Sequence, residues 1–151
     1  MLFLLMQIGR GRYALETSRV VEILPLLATD EVAGAPRAIA GTFNYRGMFI
    51  PAIDMSELVL GRPAARRLST RIVVVRRPPD SGSPEFVGLI AECATETMRC
   101  GEGAFTSDGV RGADADWFGP VANTSSGPLR RVNVDRLLSA AFSRSRSPED
   151  A

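Results

Sequence analysis

The stretch Gly41-Thr42-Phe43-Asn44-Tyr45-Arg46-Gly47-Met48-Phe49-Ile50-Pro51-Ala52-Ile53-Asp54-Met55 decides the fold. Thr42–Tyr45 and Met48–Ile53 read as strands with only Arg46-Gly47 between them, the pattern of a tight hairpin. Asn44 tolerates left-handed and turn geometry, and Gly47 takes positive φ without steric penalty. Pro51 within a strand pattern points to an edge strand or a bulge. An edge offers unpaired backbone groups to a partner. Arg46 stands at the turn, where a planar five-donor fork can hold a carboxylate. The plainer reading of Arg46 is a solvated turn arginine. Asp54 and Glu57 form a capping-box-like start for a helix through Leu58, Val59 and Leu60, a better account of the two than an acid/base pair. Gly61 and Pro63 stop that helix.

Outward from this stretch the apolar period stays near two, or runs are short and continuous, as in strands. Leu2–Ile8 and Arg12–Leu15 flank Gly9-Arg10-Gly11 as a hairpin. Thr17 or Ser18 is placed to cap a short helical turn before Val20–Leu24, which Pro25 closes. Pro36 to Ala40 reads as one helical turn with Gly41 ending it. Past Gly61–Ser69, a linker-like stretch, Arg71–Arg77 carries the β-branched run Ile72-Val73-Val74-Val75. Pro78–Pro84 is a loop. Glu85–Glu92 and Ala94–Cys100 read as two further strands, and Gly101–Gly112 as a polar loop. Trp117–Val121 reads as a short strand or turn, and Arg130–Val134 as the last strand. Asp135 is placed to cap a final helix through Phe142, and 143–151 reads as a disordered tail. Strands and turns every 8–12 residues suggest small barrels or a sandwich. No internal repeat relates the halves.

The chain has 151 residues, enough for one domain with a real core. Its 18 basic residues are all arginine, and with 17 acidic residues the net charge is +1. That balance leaves no footprint for nucleic acid or an anionic membrane. There is no histidine and no lysine. Ser-His-Asp and Cys-His nucleophiles, His-ligated metals and phosphohistidine all need the first. The P-loop lysine, Schiff bases and the kinase strand lysine need the second. Cys93 and Cys100, seven apart, make neither a CxxC motif nor a metal set and read as small, partly buried apolar residues. No signal peptide or membrane span is visible, so a cytoplasmic location is expected. Trp117-Phe118 fits either the core of a second barrel or an exposed anchor for a partner.

The Gly41–Met55 segment resembles the CheW family of chemosensory coupling proteins, whose pattern is G-x-x-N-x-R-G-x-x-(V/I)-P-x-x-D-(L/M). Phe3–Ile8, Tyr13–Leu15 and Val20–Pro25 resemble the family's opening elements. Ala35-Pro36 and Ile39-Ala40-Gly41 resemble its approach to the motif. Arg71–Val75, Val87–Ile90, Met98-Arg99 and Asn133–Leu138 resemble its second half. The likeness covers residues 2–142. It departs at Tyr45, where many members have an aliphatic residue, and at Ala113–Pro128. Those features, and a start almost directly in the first strand, bring it nearer to coupling proteins of alternative, Wsp-type systems.

The resemblance implies a mainly β fold: two SH3-like five-stranded barrels packed around an apolar groove, with a few short helices. The halves are expected at about 12–65 and 66–130. The implied role is a non-catalytic adaptor that links the cytoplasmic tip of a methyl-accepting receptor to the regulatory domain of a CheA-type histidine kinase. It implies recruitment to receptor arrays at the inner membrane, with no cofactor or metal. Carried over residue by residue, Val20, Glu22 and Ile23 form a partner patch, and Gly41, Asn44, Arg46 and Gly47 form the motif turn. Glu22 and Arg46 are expected to face each other as an ion pair. Two alternatives stand beside it. One is a relative or fragment of the kinase's own regulatory domain. The other is a small nucleic-acid-binding barrel, which the charge and aromatic content disfavour.

Overall fold

A computed structural model describes residues 1–78, 85–109 and 117–143. The strands are β1 (Leu2–Ile8), β2 (Gly11–Glu16), β3 (Val20–Pro25), β4 (Ile39–Tyr45), β5 (Met48–Asp54), β6 (Arg71–Arg76), β7 (Phe86–Arg99), β8 (Phe118–Thr124) and β9 (Gly127–Val132). The helix α1 (Met55–Leu60) follows β5, and α2 (Val134–Ser143) follows β9. Short 3-10 turns lie at Thr17–Arg19 and Glu102–Ala104.

The long strand β7 belongs to two sheets. Its first part pairs with β6 on one side and β5 on the other, and its last part pairs with β1. One sheet therefore runs β3-β6-β7-β5-β4, and the other β7-β1-β2-β9-β8. Each curls back on itself. Past β3, Asp30 exchanges backbone hydrogen bonds with Thr42 of β4, at 2.8 and 2.9 Å. Past β7, Thr106 does the same with Val121 of β8, at 2.9 and 2.8 Å. In both cases the chain leaving one end of the sheet order returns to the other end. The architecture is mainly β and two-lobed, as the resemblance implies.

The sequence places two separate strands at Glu85–Glu92 and Ala94–Cys100, whereas the structure has one bent strand. Cys93 takes φ +53°, and the pairing register with β1 shifts between Leu5 and Gln7. A bulge bends a strand and raises its twist, so one strand serves two differently oriented sheets. The Cys93 Sγ donates to Gln7 Oε1 at 3.1 Å. The sheets do not follow the division expected near residue 65. β6 and the start of β7 pair with β3 and β5, while the N-terminal β1 and β2 sit with β8 and β9.

Apolar side chains form three layers. Phe43, Tyr45, Ile50, Ile72 and Val74 fill the first lobe. Phe3, Leu5, Phe105 and Leu129 fill the second. Between them lies the largest layer, with Leu4, Ile53, Val73, Val75, Leu89, Trp117 and Leu137. The run Ile72–Val75 is apolar on both faces because alternate residues enter the first lobe and the central layer. Each fully buried leucine or isoleucine here contributes roughly 1.5–3 kcal/mol. Trp117 is core, fully buried and in tilted contact with the Phe118 ring.

Several local expectations are corrected. Residues 36–39 form a β-turn, closed by Ile39 N donating to Pro36 O at 2.9 Å, and β4 begins at Ile39 because Ile39 pairs with Ile53. Gly41 is inside that strand and ends no helix. Pro51 is not on an edge strand. β5 lies between β4 and β7, and its pairing with β7 begins only at Ala52, so the missing proline donor interrupts nothing. Neither Thr17 nor Ser18 caps the 3-10 turn, and Thr17 Oγ1 donates to Leu2 O at 3.0 Å. α2 is capped by Asn133, whose Oδ1 accepts from Arg136 N at 3.1 Å, while Asp135 pairs with Arg19 at 2.6 Å. Asp54 does cap α1, accepting from Glu57 N at 3.1 Å. Glu57 does not reciprocate, because its carboxylate takes Arg37 at 2.7 Å. The loop residues 79–84, the segment 110–116 and the tail 144–151 lie outside the described residues.

Candidate functional site

The β4–β5 hairpin turns on Arg46 and Gly47, both left-handed, at φ +51° and +86°. This is the turn whose twist matches that of a hairpin, and it normally carries Asn or Gly at its first position. Arginine there is strained. Asn44 supports it, its Oδ1 accepting from Gly47 N at 2.9 Å. The turn projects Arg46 across the open end of the first lobe onto β3. Its Nη2 donates to Glu22 Oε1 at 3.1 Å and Oε2 at 3.3 Å. Tyr45, buried beneath, donates its hydroxyl to the same Glu22 Oε2 at 2.9 Å. The Arg46 guanidinium also lies 5.2 Å from the centre of the Tyr45 ring. Burial first, then the hydrogen bond to Glu22, pushes the Tyr45 phenol above its ordinary value. The expected Glu22–Arg46 pair is therefore present, with Tyr45 as a third member that sequence reasoning treated only as a departure. An exposed pair of this kind is worth about 0–1 kcal/mol, so it shapes the surface more than it stabilises the fold.

The remaining predicted residues divide. β3 carries a bulge between Val20 and Glu22. Glu22 is opposite Val74 and looks toward the first lobe, whereas Ile23 is opposite Val73. Ile23 is exposed and borders a shallow groove between the lobes, about 340 Å³, with Leu4, Leu24, Pro25, Ala94 and Thr97. Val20 is half-buried against the central layer. Val20 and Ile23, opposite Val75 and Val73, thus share the face toward the central layer, because the bulge between Val20 and Glu22 offsets their odd spacing, while Glu22 lies on the other face. Gly41 acts through backbone: at φ +147°, a Cβ there would sit 2.3 Å from Asp30 O, on the bridge that closes the lobe. Sequence reasoning missed Met48 and Phe49. Both are exposed beside the turn, Phe49 at 68%. The signal lay in strand alternation, since Phe49 is opposite Asn44 on the outer face while Phe43 and Ile50 point in.

Among the described residues no cluster of His, Cys, Asp and Glu could hold a metal ion. No described helix is long and apolar enough to cross a membrane. The site offers a rim of charge, an exposed apolar tip and a groove, which are elements of a binding surface.

The fold and this surface define a protein-interaction domain built of two β lobes. The family model for the CheW-like domain matches residues 2–142, and the chain belongs to that family. Its members are scaffold and adaptor proteins of chemotaxis-type signal transduction. Among solved structures the chain is similar to the scaffolding protein TtCheW from Thermoanaerobacter tengcongensis, with a TM-score of 0.77 and 19% identity, covering 88% of this chain and 84% of that one. No curated protein matches the chain.

Proposed function

We propose that this chain is a non-catalytic adaptor that couples methyl-accepting receptors to a CheA-type histidine kinase. The observation that carries this reading is Arg46, held in a strained left-handed turn and aimed at Glu22 on an exposed rim. Strain of about 1–3 kcal/mol at a residue persists where the surroundings impose it, and it concentrates at functional positions. The fold does not need that arginine, since Asn or Gly would make the same turn more easily.

In this reading the end of the first lobe, with Glu22, Arg46 and the Met48-Phe49 tip, meets the kinase's regulatory domain. The groove beside Ile23 takes receptor helices. The chain acts in the cytoplasm, at receptor arrays. No bond is made or broken here. The coupling is a free energy shared by two binding sites, so the receptor's effect on kinase affinity equals the kinase's effect on receptor affinity.

The test is a pull-down from the native lysate with the chain as bait and Arg46→Glu as control, the captured proteins being identified by mass spectrometry. A CheA-type kinase and a methyl-accepting receptor, both recovered by the wild type and reduced at least tenfold by the variant, are expected. Recovery of neither by a folded bait would refute the reading.

A further inference from the structure

We propose that the cavity between the β3–β4 connection and α1 binds a small alkyl ammonium ion, with Asp54 as its counter-ion. The inference goes beyond the adaptor reading, depends on no part of it, and uses neither Glu22 nor Arg46.

Asp54, the last residue of β5, is only 7% exposed. Burying a carboxylate without a cation is costly. The donors it has are backbone groups. Oδ1 accepts from Glu57 N at 3.1 Å and from Ala64 N at 3.2 Å, and Oδ2 accepts from the same Ala64 N at 3.0 Å. A carboxylate offers about four acceptor sites, so Oδ2 has room for a further donor. Among the described residues no arginine forms an ion pair with Asp54. Burial raises its pKa in spite of the backbone donors, which shows that they compensate the charge only in part.

A cavity of about 290 Å³ adjoins this carboxylate. Leu26, Ile39 and Ile90 line it with apolar surface, and Leu27 and Val32, which also line it, are exposed. Asp54 lines it together with Glu57 and Ala64, the two residues whose N–H groups it holds.

The charges around the cavity decide the sign of the ligand. Arg37 and Glu57 neutralise each other, Arg37 Nε donating to Glu57 Oε1 at 2.7 Å while its Nη2 donates to Gly61 O at 3.1 Å. Glu31 and Arg66 are opposite in charge, and both are exposed, where water and salt screen them. The buried charge left over is that of Asp54. Apolar walls with one under-compensated carboxylate select a cation whose body is hydrocarbon. The volume is at the small end for ligand cavities, which fits a short branched amine rather than a nucleotide. The lining comes from segments distant in the chain, including the connection that closes the first lobe through Asp30 and Thr42. A bound ligand therefore ties that closure to α1 and β7 and stabilises the fold by mass action.

The test titrates the full chain with isopentylamine, isopentanol and isovalerate, probes of one shape with a positive, a neutral and a negative head. Binding is read from the Glu57 and Ala64 amide resonances by NMR and from the melting temperature. Isopentylamine is expected to shift both resonances, saturating below about 10 mM, and to raise the melting temperature. Isopentanol is expected to bind at least tenfold more weakly, and isovalerate to shift neither resonance. In Asp54→Asn, which keeps an acceptor for both N–H groups, amine binding is expected to fall at least tenfold while isopentanol binding stays unchanged. Equal binding of amine and alcohol, tighter binding of isovalerate, or no shift in the wild type overturns the proposal without requiring any variant to fold. Equal amine binding by a folded Asp54→Asn overturns it as well. Tighter binding of a lysine-containing tripeptide than of the amine overturns it in favour of a partner's side chain. Arg46→Glu is expected to bind the amine normally, so failure of the adaptor reading and failure of this one give different results.

Discussion

Arg46 reaches Glu22 at 3.1 Å from a left-handed backbone conformation that arginine rarely adopts. The side chain and the backbone at this position therefore serve different ends. Arg46→Asn keeps a residue tolerant of the turn and removes the guanidinium. Its melting temperature should equal or exceed that of the wild type, because the relieved strain, about 1–3 kcal/mol, is at least as large as the lost exposed pair, about 0–1 kcal/mol. Capture of the kinase should nevertheless fall at least tenfold. Unfolding of Arg46→Asn or of Arg46→Glu would make Arg46 structural.

Val20 and Ile23 are three residues apart on one strand and should behave differently. Val20→Asp puts a carboxylate against the central layer beside Val75 and should lower stability by about 2 kcal/mol or more, seen in urea titration. Ile23→Asp stays in water at the groove. It should leave the urea midpoint nearly unchanged while reducing receptor capture.

Two aromatic residues with opposite surroundings make a further contrast. Trp117→Ala should cost about 3–5 kcal/mol, since the ring is fully buried between the lobes. Phe49→Ala should change stability by less than about 0.5 kcal/mol, because the ring is mostly in water. Similar losses for both, by thermal denaturation, would contradict the burial described.

Backbone sign rather than side-chain chemistry should govern Gly41 and Cys93. Gly41→Ala meets Asp30 O at the closure of the first lobe and should destabilise by about 1–3 kcal/mol. At Cys93, φ +53° disfavours a β-branched residue. Cys93→Gly should therefore melt above Cys93→Val, the reverse of what apolar burial alone would give.

Asp54 supplies a pH dependence. Burial raises its pKa above the ordinary carboxylate value, and the backbone donors of Ala64, Glu57 and Ser56 offset this only in part. The folded chain therefore holds the Asp54 proton more tightly than the unfolded chain does. Its contribution to stability is fully present below the ordinary aspartate pKa and is lost as pH rises through the folded value. The stability of wild type relative to Asp54→Asn should thus increase as pH falls through that window. Asn can still accept from Glu57 N and Ala64 N, so the comparison isolates the charge. A flat or opposite difference in melting temperature against pH would show that the carboxylate is not destabilised by burial.

The hairpin 42–53, the helix after Asp54 and the buried run Ile72–Val75 were legible in the sequence, whereas the Glu22–Arg46 pair, distant in the chain, was expected only from the family resemblance. The first three depend on neighbours within a strand or turn, or on a motif whose residue types carry their own geometry. Asn44 and Gly47 specify a turn wherever they stand together, and a run of β-branched residues specifies a strand. What only the tertiary structure decided depends on partners distant in the chain. Whether 86–99 is two strands or one bent strand is set by Gln7 and β1, far away in sequence. Whether Gly41 ends a helix or admits Asp30 depends on how the chain after β3 returns to β4. That Val20 and Ile23 share one face while Glu22 takes the other depends on one bulge in pairing with β6. Whether buried Asp54 meets a cation depends on where Arg37 comes to rest, and Glu57 takes it. Local geometry is encoded in residue type and spacing, whereas register, closure and exposure arise only when the sheets are assembled.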